Sequence, residues 1–205
     1  MKSGRYLLLI LILIIGGCTM IPHKEFVITE LNYSDKVKVI KRSEWDWKPL
    51  VTDLPQHEIT KITIHHGGVD YPPGKDPVEH IRNLQDWSRK EKKWIDIPYH
   101  FMIDPAGVIY EARPINYPGA TNTDYDLIGH AQICLMGNYE NAEVNRSQLK
   151  AIVEITAYLV ERFNVPLYDI KGHKDYTETL CPGKNLYQYL KNGTIQNQVS
   201  DILNR

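Results

Sequence analysis

Short runs of alternating apolar and polar residues predict the strands of this chain. The clearest run covers residues 59–65, where β-branched side chains alternate with polar ones. Two apolar segments flank a turn containing Pro and Gly at residues 104–107, an arrangement typical of a hairpin. A wholly apolar segment around residue 134 is typical of a central strand. The predicted strands are residues 37–40, 59–65, 99–103, 108–111 and 132–136.

Two longer segments have the i, i+3, i+4, i+7 spacing of amphipathic helices. The first follows Asp76, a suitable N-cap with Pro77 at the first helical position, and runs to about Lys92. The second follows Ser147, which we expect to be its N-cap, and extends to Phe163. Both helices therefore have one apolar face that can pack on a sheet.

The C-terminal part completes the predicted order of elements. Apolar positions within residues 186–190 predict a short closing helix, and residues 193–205 are expected to form a loosely docked amphipathic tail. The order β-β-α-β-β-β-α predicts a mixed α/β fold, in which a mainly β central sheet is flanked by helices.

The N-terminus predicts export rather than a place in the fold. A positively charged start precedes the apolar run of residues 6–15, which is too short to span the ~30 Å core of a bilayer. Two glycines then precede Cys18. This arrangement resembles a bacterial lipobox, which implies cleavage before the cysteine and attachment of lipid to it. An uncleaved anchor and a soluble secreted product are the alternatives.

These boundaries give the expected organisation and location of the protein. Lipid on Cys18 would anchor it to a membrane, and Thr19 favours the outer membrane, on its periplasmic face, in a cell with two membranes. We expect a monomer. The predicted segments are a signal peptide at residues 1–17, a tether at 18–36, one domain at 37–192 and the tail at 193–205.

Charge and cysteine content narrow the choice of function. The 205 residues include 24 basic and 25 acidic side chains and have a net charge of −1, so no basic excess indicates nucleic acid as a partner. Three cysteines are too few for a disulfide framework. If Cys18 is lipidated, Cys134 and Cys181 remain and could pair in an oxidising compartment.

One loop and one strand end contain the residues with metal-binding chemistry. The segment 172–183 is bracketed by glycines, includes a proline and contains His173 and Cys181, and a loop of this kind can fold back on itself. His65 stands at the end of a predicted strand. Two histidines and one cysteine are typical zinc ligands, and they leave the fourth tetrahedral position open for water, as a catalytic zinc requires. Their spacing alone does not establish that they meet.

Four motifs together resemble the zinc-dependent N-acetylmuramoyl-L-alanine amidases of the phage-lysozyme and peptidoglycan-recognition-protein type. They occur in the family's order, between about Lys41 and Cys181, and cover most of the mature chain. The motifs are residues 42–45 (RSEW), 62–66 (ITIHH), 94–101 (WIDIPYHF) and the loop 172–183.

The resemblance implies a catalytic zinc ion with three protein ligands. They are His65, His173 and Cys181, with Tyr99 and Thr179 beside the metal. Zinc lowers the pKa of its bound water to roughly 7, and the resulting hydroxide would attack the amide that joins the lactyl group of N-acetylmuramic acid to L-alanine. Tyr99 could stabilise the oxyanion, with help from Thr179, or orient the water or carry a proton to the leaving amine. Without the resemblance, Tyr99 would be an ordinary strand aromatic.

The resemblance also implies contacts with peptidoglycan or muropeptides. Arg113 matches a position near the peptide carboxylates, although a surface ion pair would suit it equally. Relatives often have a histidine where this chain has Thr121, a departure for which His130 could compensate unless it is a solvated loop residue. His66 is expected to support the site. The candidate substrate contacts are His66, His100, Arg113, Asn122 and His130.

Two other functions are compatible with parts of this pattern. A non-catalytic module that binds muropeptides is the main rival, but non-catalytic relatives commonly lose the cysteine ligand that this chain keeps as Cys181. A structural zinc site is disfavoured because such sites usually have four protein ligands and only three are evident here. The sequence therefore predicts a lipid-anchored zinc amidase of the cell wall.

Overall fold

The architecture is a six-stranded mixed sheet with helices on both faces. The computed structural model describes residues 26–33, 37–52 and 54–205. The strands are β1 (Val39–Ile40), β2 (Lys61–His66), β3 (Phe101–Ile103), β4 (Ile109–Glu111), β5 (His130–Leu135) and β6 (Ile170–Gly172). The helices are α1 (Pro77–Lys90), α2 (Arg146–Phe163), α3 (Lys184–Lys191) and α4 (Thr194–Leu203), and short 3₁₀ turns occur at Arg42–Glu44, Leu167–Asp169 and His173–Asp175.

Four parallel strands form the part of the sheet that carries the site. The strand order is β1-β4-β3-β5-β2-β6, and β3, β5, β2 and β6 all run in the same direction. β4 is antiparallel to β3, which confirms the predicted hairpin. The two longest strands, β2 and β5, pair over their whole length and lie inside the sheet, in agreement with their apolar sequences.

The two faces of the sheet have separate cores. On one face, α2 packs on β3 and β5, α3 packs on β6, and α4 packs on α2 and α3. Side chains such as Ile64 and Leu135 are fully buried in this core. On the other face, Ile81 of α1 packs in a second apolar cluster with Trp45 and Cys134. Because side chains alternate along a strand, successive residues of β2 point to opposite cores.

Local signals explain where the helices begin and end. Asp76 accepts a hydrogen bond from the backbone N–H of Val78, which confirms the predicted cap of α1. The cap of α2 is Asn145 rather than the predicted Ser147, because the Asn145 side chain accepts from the N–H of Gln148. α2 ends at Asn164 in a left-handed conformation, with φ of 53°.

Both ends of the domain are more ordered than the sequence predicted. Residues 193–205 are not a loosely docked tail, because α4 buries Ile195 and Val199 completely in the main core. The described part of the predicted tether is also docked. Leu31 is buried, and the hydroxyl of Tyr33 donates to Glu111 over 2.5 Å. The predicted signal peptide at residues 1–17 and the tether residues 18–25 and 34–36, including Cys18, lie outside the described residues.

A short edge strand, β6, also belongs to the sheet. β6 was not predicted, and it adds a short parallel edge strand immediately before the His173 turn. Within residues 26–33, 37–52 and 54–205, none of the helices has the length and apolarity needed to cross a membrane.

Candidate metal centre

Parallel pairing of β2 and β6 brings two of the predicted ligands side by side. Ile64 of β2 is in register with Gly172 of β6, so the next residue of each strand, His65 and His173, leaves the same edge of the sheet. The ring centroids of the two histidines are 4.7 Å apart. Both side chains are buried.

The loop after His173 folds back and adds the third ligand. The backbone N–H of Lys174 donates to the carbonyl of Cys181 over 3.0 Å, which closes the loop. The Cys181 sulfur lies 3.4 Å from the backbone nitrogen of His66, which donates to it. Gly183 then leaves the loop with φ of +86°, and a Cβ there would lie 2.3 Å from the carbonyl carbon of Tyr139. Only glycine fits this close approach without a backbone shift.

The spacing of the three side chains suits a tetrahedral metal. One ligand atom from each of His65, His173 and Cys181 can be chosen so that all lie within 4.8 Å of one another. The Sγ of Cys181 is 3.5 Å from Nδ1 of His65. Zn–S and Zn–N bonds of about 2.3 and 2.0–2.1 Å at a tetrahedral angle would separate two ligand atoms by about 3.5 Å. A small contraction would therefore complete the site.

Burial keeps the three groups neutral when no cation is bound. It lowers the pKa of His65 well below its usual value, with a further contribution from His173, and lowers the pKa of His173 to about 4. Burial also raises the pKa of the Cys181 thiol to about 12. Neutral imidazoles are the form that binds metal, whereas the thiol must lose its proton as the cation arrives. This donor set is the one that zinc prefers.

Tyr99 stands next to these residues just before β3. Its ring centroid is 5.2 Å from that of His65. Burial raises the pKa of Tyr99 well above its usual value, and Cys134 and Cys181 add to the shift. The phenol therefore remains protonated at neutral pH and can act as a hydrogen-bond donor.

A cavity of about 220 Å³ opens over the three side chains. Asn122, Thr179 and His66 are among the predicted residues on its wall. The Thr179 hydroxyl accepts a hydrogen bond from the backbone N–H of Cys181 over 3.2 Å, so it belongs to the same loop structure. The complete lining is His65, His66, Gly67, Gly68, Trp94, Pro98, Tyr99, Ala120, Thr121, Asn122, Thr123, His173, Thr179 and Cys181.

Arg113 and His100 were predicted to contact substrate, but both are buried and bonded to backbone groups. Arg113 is 1% exposed, and its guanidinium donates to the backbone carbonyls of Ile97, Asp96 and Pro118. It is therefore neither a contact for peptide carboxylates nor a surface ion pair. His100 is also 1% exposed, and both ring nitrogens bond to backbone groups.

His130 is likewise buried away from the cavity wall. Its Nδ1 lies 2.7 Å from the hydroxyl of Thr63, and its ring packs edge-on against Tyr176. The predicted substrate contact and the alternative of a solvated loop histidine are both wrong. His66 does line the cavity, but its Nδ1 accepts from the backbone N–H of Tyr139, in agreement with a supporting role.

The two described cysteines and the loop between β4 and β5 test further expectations about the site. Cys134 and Cys181 are both free, so the alternative of a disulfide between them does not occur in the structure. The long loop between β4 and β5 provides one cavity wall through residues 120–123. The length of this loop and its Gly and Asn content are typical of a functional loop. No sequence pattern singled out Thr123, whose hydroxyl lies 2.7 Å from Nε2 of His173.

Relatives with known names share this fold and somewhat more than a quarter of the aligned residues. The chain is 29% identical over 175 residues to peptidoglycan-recognition protein SD of Drosophila simulans, covering 80% of this chain and 90% of the relative. The crystal structure of the Drosophila protein of the same name superposes with a TM-score of 0.69 at 28% identity, over 76% of this chain and 94% of the other.

Two further solved structures extend the comparison. A point mutant of Drosophila PGRP-LB in complex with tracheal cytotoxin has a TM-score of 0.66 at 25% identity, over 75% of this chain and 92% of that one. The N-acetylmuramoyl-L-alanine amidase LysC from Clostridium intestinale has a TM-score of 0.62 at 24% identity, over 78% and 97% of the two chains, which is a likeness of fold.

A family model also matches the segment that contains the whole site. It covers residues 55–184, more than half of the chain, and therefore includes all three candidate ligands, Tyr99 and Thr179. The structural neighbours have the same mixed sheet flanked by helices. The chain belongs to the Amidase_2 family, that of N-acetylmuramoyl-L-alanine amidase.

Proposed function

We propose that this protein is a zinc-dependent amidase that hydrolyses the bond between N-acetylmuramic acid and L-alanine in peptidoglycan. One observation carries the proposal: His65, His173 and Cys181 converge within 4.8 Å at the base of a cavity. Three protein ligands leave a coordination position for a reactant, which is typical of catalytic rather than structural zinc.

The ligand residues would hold the metal and Tyr99 would act on the substrate. Bound zinc supplies a water of lowered pKa and polarises the scissile carbonyl. Tyr99 remains protonated, so its O–H can donate to the oxygen of that carbonyl as negative charge develops there. The Thr179 hydroxyl already accepts from the N–H of Cys181 and retains its own proton for a second donation.

The surrounding wall is suited to a polar chain such as a muropeptide. Asn122 offers both an amide donor and an acceptor at the cavity mouth, and Trp94 offers an apolar face. Relatives are named for peptidoglycan recognition, and one of their structures contains tracheal cytotoxin. Peptidoglycan or its fragments are therefore the substrates that we propose for this cavity.

Recognition without catalysis is the second candidate, and it is favoured by the names of the relatives. The sequence relative described above is a recognition protein rather than a named amidase. Against this candidate, the donor set is complete and Tyr99 is adjacent to it. The two functions differ in their products, because a binding module would release none.

Metal analysis and product analysis on the same preparation test the proposal. The protein expressed from residue 19 is expected to contain one zinc per chain and to release stem peptides with free L-Ala amino termini from purified sacculi. His173→Ala and Cys181→Ser are expected to lose both properties. His80→Ala is the matched control, because His80 lies on α1 and contacts Tyr71 rather than the site.

Three results would contradict the amidase. They are release of reducing sugar instead of amino termini, full activity of the Cys181→Ser variant, and tight muropeptide binding with no product by a zinc-loaded protein. The last result would establish the recognition function in its place.

We also propose that lipid on Cys18 attaches the protein to a membrane. The support is the short apolar run followed by Gly16, Gly17 and the cysteine. In a bacterial host, the wild-type chain is expected in the membrane fraction and Cys18→Ala outside it. Equal membrane association of the two would contradict the assignment.

A further inference from the structure

A chain of two hydroxyl groups connects the cavity loop to one metal ligand. The Oγ1 of Thr123 lies 2.7 Å from Nε2 of His173, and the Oγ1 atoms of Thr121 and Thr123 lie 2.8 Å apart. The backbone N–H of Thr123 also donates to Thr121 Oγ1 over 3.1 Å. We propose that Thr123 is a positioning residue that fixes the tautomer and ring orientation of His173, supported by Thr121. This inference rests on the proposed zinc centre.

The hydrogen positions in this chain follow from donor and acceptor counts. A histidine that binds metal through one nitrogen carries its proton on the other, and that proton needs an acceptor. If Nε2 of His173 donates to Thr123, the Thr123 hydroxyl must direct its own hydrogen elsewhere. Thr121 Oγ1 is at the right distance to accept it. The arrangement leaves the Nδ1 lone pair of His173 available for the metal.

The other neighbours of the His173 ring cannot perform this task. The Tyr125 ring lies with its centroid 5.0 Å away at 46°, and the His65 ring lies 4.7 Å away at 53°. These contacts restrict tilting of the ring, but they do not distinguish one ring nitrogen from the other. The Thr123 hydroxyl does distinguish them, because it forms a hydrogen bond with Nε2 of His173.

The hydrogen bond with Thr123 joins His173 to a part of the chain that is distant in sequence. His173 begins a 3₁₀ turn directly after β6, which lies at the edge of the described sheet and pairs there with β2. Thr121 and Thr123 come from a distant loop that also lines the cavity. The contact therefore connects His173 directly to the cavity wall, and it couples the shape of that wall to the orientation of this candidate ligand.

Substitutions that remove or retain one hydroxyl test this role. Thr123→Val keeps the shape but lacks the hydroxyl, Thr123→Ser keeps the hydroxyl, and Thr52→Val is a matched control at an exposed position. Zinc affinity is measured by competition with a chromophoric chelator. Loss of a hydrogen bond to a ligating histidine typically lowers metal affinity by about 10–100-fold, which is the loss expected for Thr123→Val. Thr123→Ser and Thr52→Val are expected to bind as the wild type does.

Two further readouts separate positioning from a general loss of structure. The melting temperature of metal-free Thr123→Val should lie within about 2–4 °C of that of the metal-free wild type, because only one hydrogen-bonded contact is lost. The visible spectrum of the cobalt-substituted variant should differ from that of the wild type, because the orientation of one ligand changes. Thr121→Val should weaken zinc binding less than Thr123→Val does, since it acts one bond further away.

The outcomes distinguish this inference from the proposed function. If the wild type binds zinc and cleaves sacculi while Thr123→Val retains full zinc affinity, the positioning role is wrong and the amidase stands. Equal losses in Thr123→Val and Thr123→Ser would also overturn the role, because the hydroxyl would not be responsible. If the wild type binds no zinc, the metal centre and this inference fail together.

Discussion

Protonation of His100 is expected to destabilise the fold at mildly acidic pH. Its Nδ1 accepts from the backbone N–H of Gln132 over 2.8 Å, and its Nε2 donates to the carbonyl of Tyr117 over 2.9 Å. A proton on Nδ1 would face the Gln132 N–H and break that bond. Burial accordingly lowers the pKa of His100 to about 3.

The sign and size of the effect follow from linkage between protonation and folding. The unfolded chain takes up the proton near pH 6.5, whereas the folded chain resists it down to about pH 3. The contribution of neutral His100 to stability is therefore present above pH 6.5 and is lost as the pH falls toward 3. At pH 5 the loss is about 2 kcal/mol of unfolding free energy, from one proton over about 1.5 pH units.

Urea unfolding of the metal-free protein and of His100→Asn measures this contribution. The variant keeps a short acceptor but cannot titrate, so we expect it to be less stable at pH 7.5 by about 1–3 kcal/mol. The difference in unfolding free energy between the variant and the wild type should be smaller by about 2 kcal/mol at pH 5.0 than at pH 7.5, because only the wild type loses stability through His100. The other histidines are present in both proteins and cancel in the difference.

A difference in unfolding free energy that is the same at pH 7.5 and at pH 5.0 would refute this reasoning. The same variant also tests the structural assignment of His100 against the predicted substrate contact. A purely structural residue leaves KM for muropeptides unchanged at pH 7.5, provided that the variant is folded. A large rise in KM with unchanged stability would restore the contact.

Three other substitutions are expected to separate catalysis from stability. Tyr99→Phe should lower kcat by about 10²–10³-fold with little change in zinc content, as measured by amino-terminus release and metal analysis. Arg113→Lys should lower the unfolding free energy by about 2–4 kcal/mol in urea, because lysine cannot serve three carbonyls in a fork. Ile195→Ala should lower the unfolding free energy by about 2–5 kcal/mol in the same assay, since Ile195 is fully buried. An unchanged unfolding free energy would contradict the packing of α4 in the core.

Local patterns predicted the elements that are long or strongly periodic. β2, β5, α1 and α2 carry enough apolar residues at regular spacing to be found without the structure. β6 has only three residues, too few to show alternation. α4 packs through little more than Ile195 and Val199, and such a thin stripe resembles that of a surface tail.

For the candidate site, too, the sequence predicted what residue type determines and missed what distant contacts determine. The identity of the ligands was predicted from residue type and from resemblance, because imidazole and thiol groups are rare and chemically specific. The roles of Arg113 and His130 were missed because their partners are backbone and hydroxyl groups far along the chain. No local pattern distinguishes an arginine that binds a ligand carboxylate from one that ties loops together.

Sheet pairing and loop closure position different members of the candidate ligand group. The β2–β6 register fixes the two histidines relative to each other, because both follow paired residues of the sheet. Cys181 depends instead on closure of its loop, through the 3.0 Å bond from Lys174 and the tight fit of Gly183 against Tyr139. The backbone positions of the two histidines therefore depend on the sheet, and the position of the thiol depends on its loop.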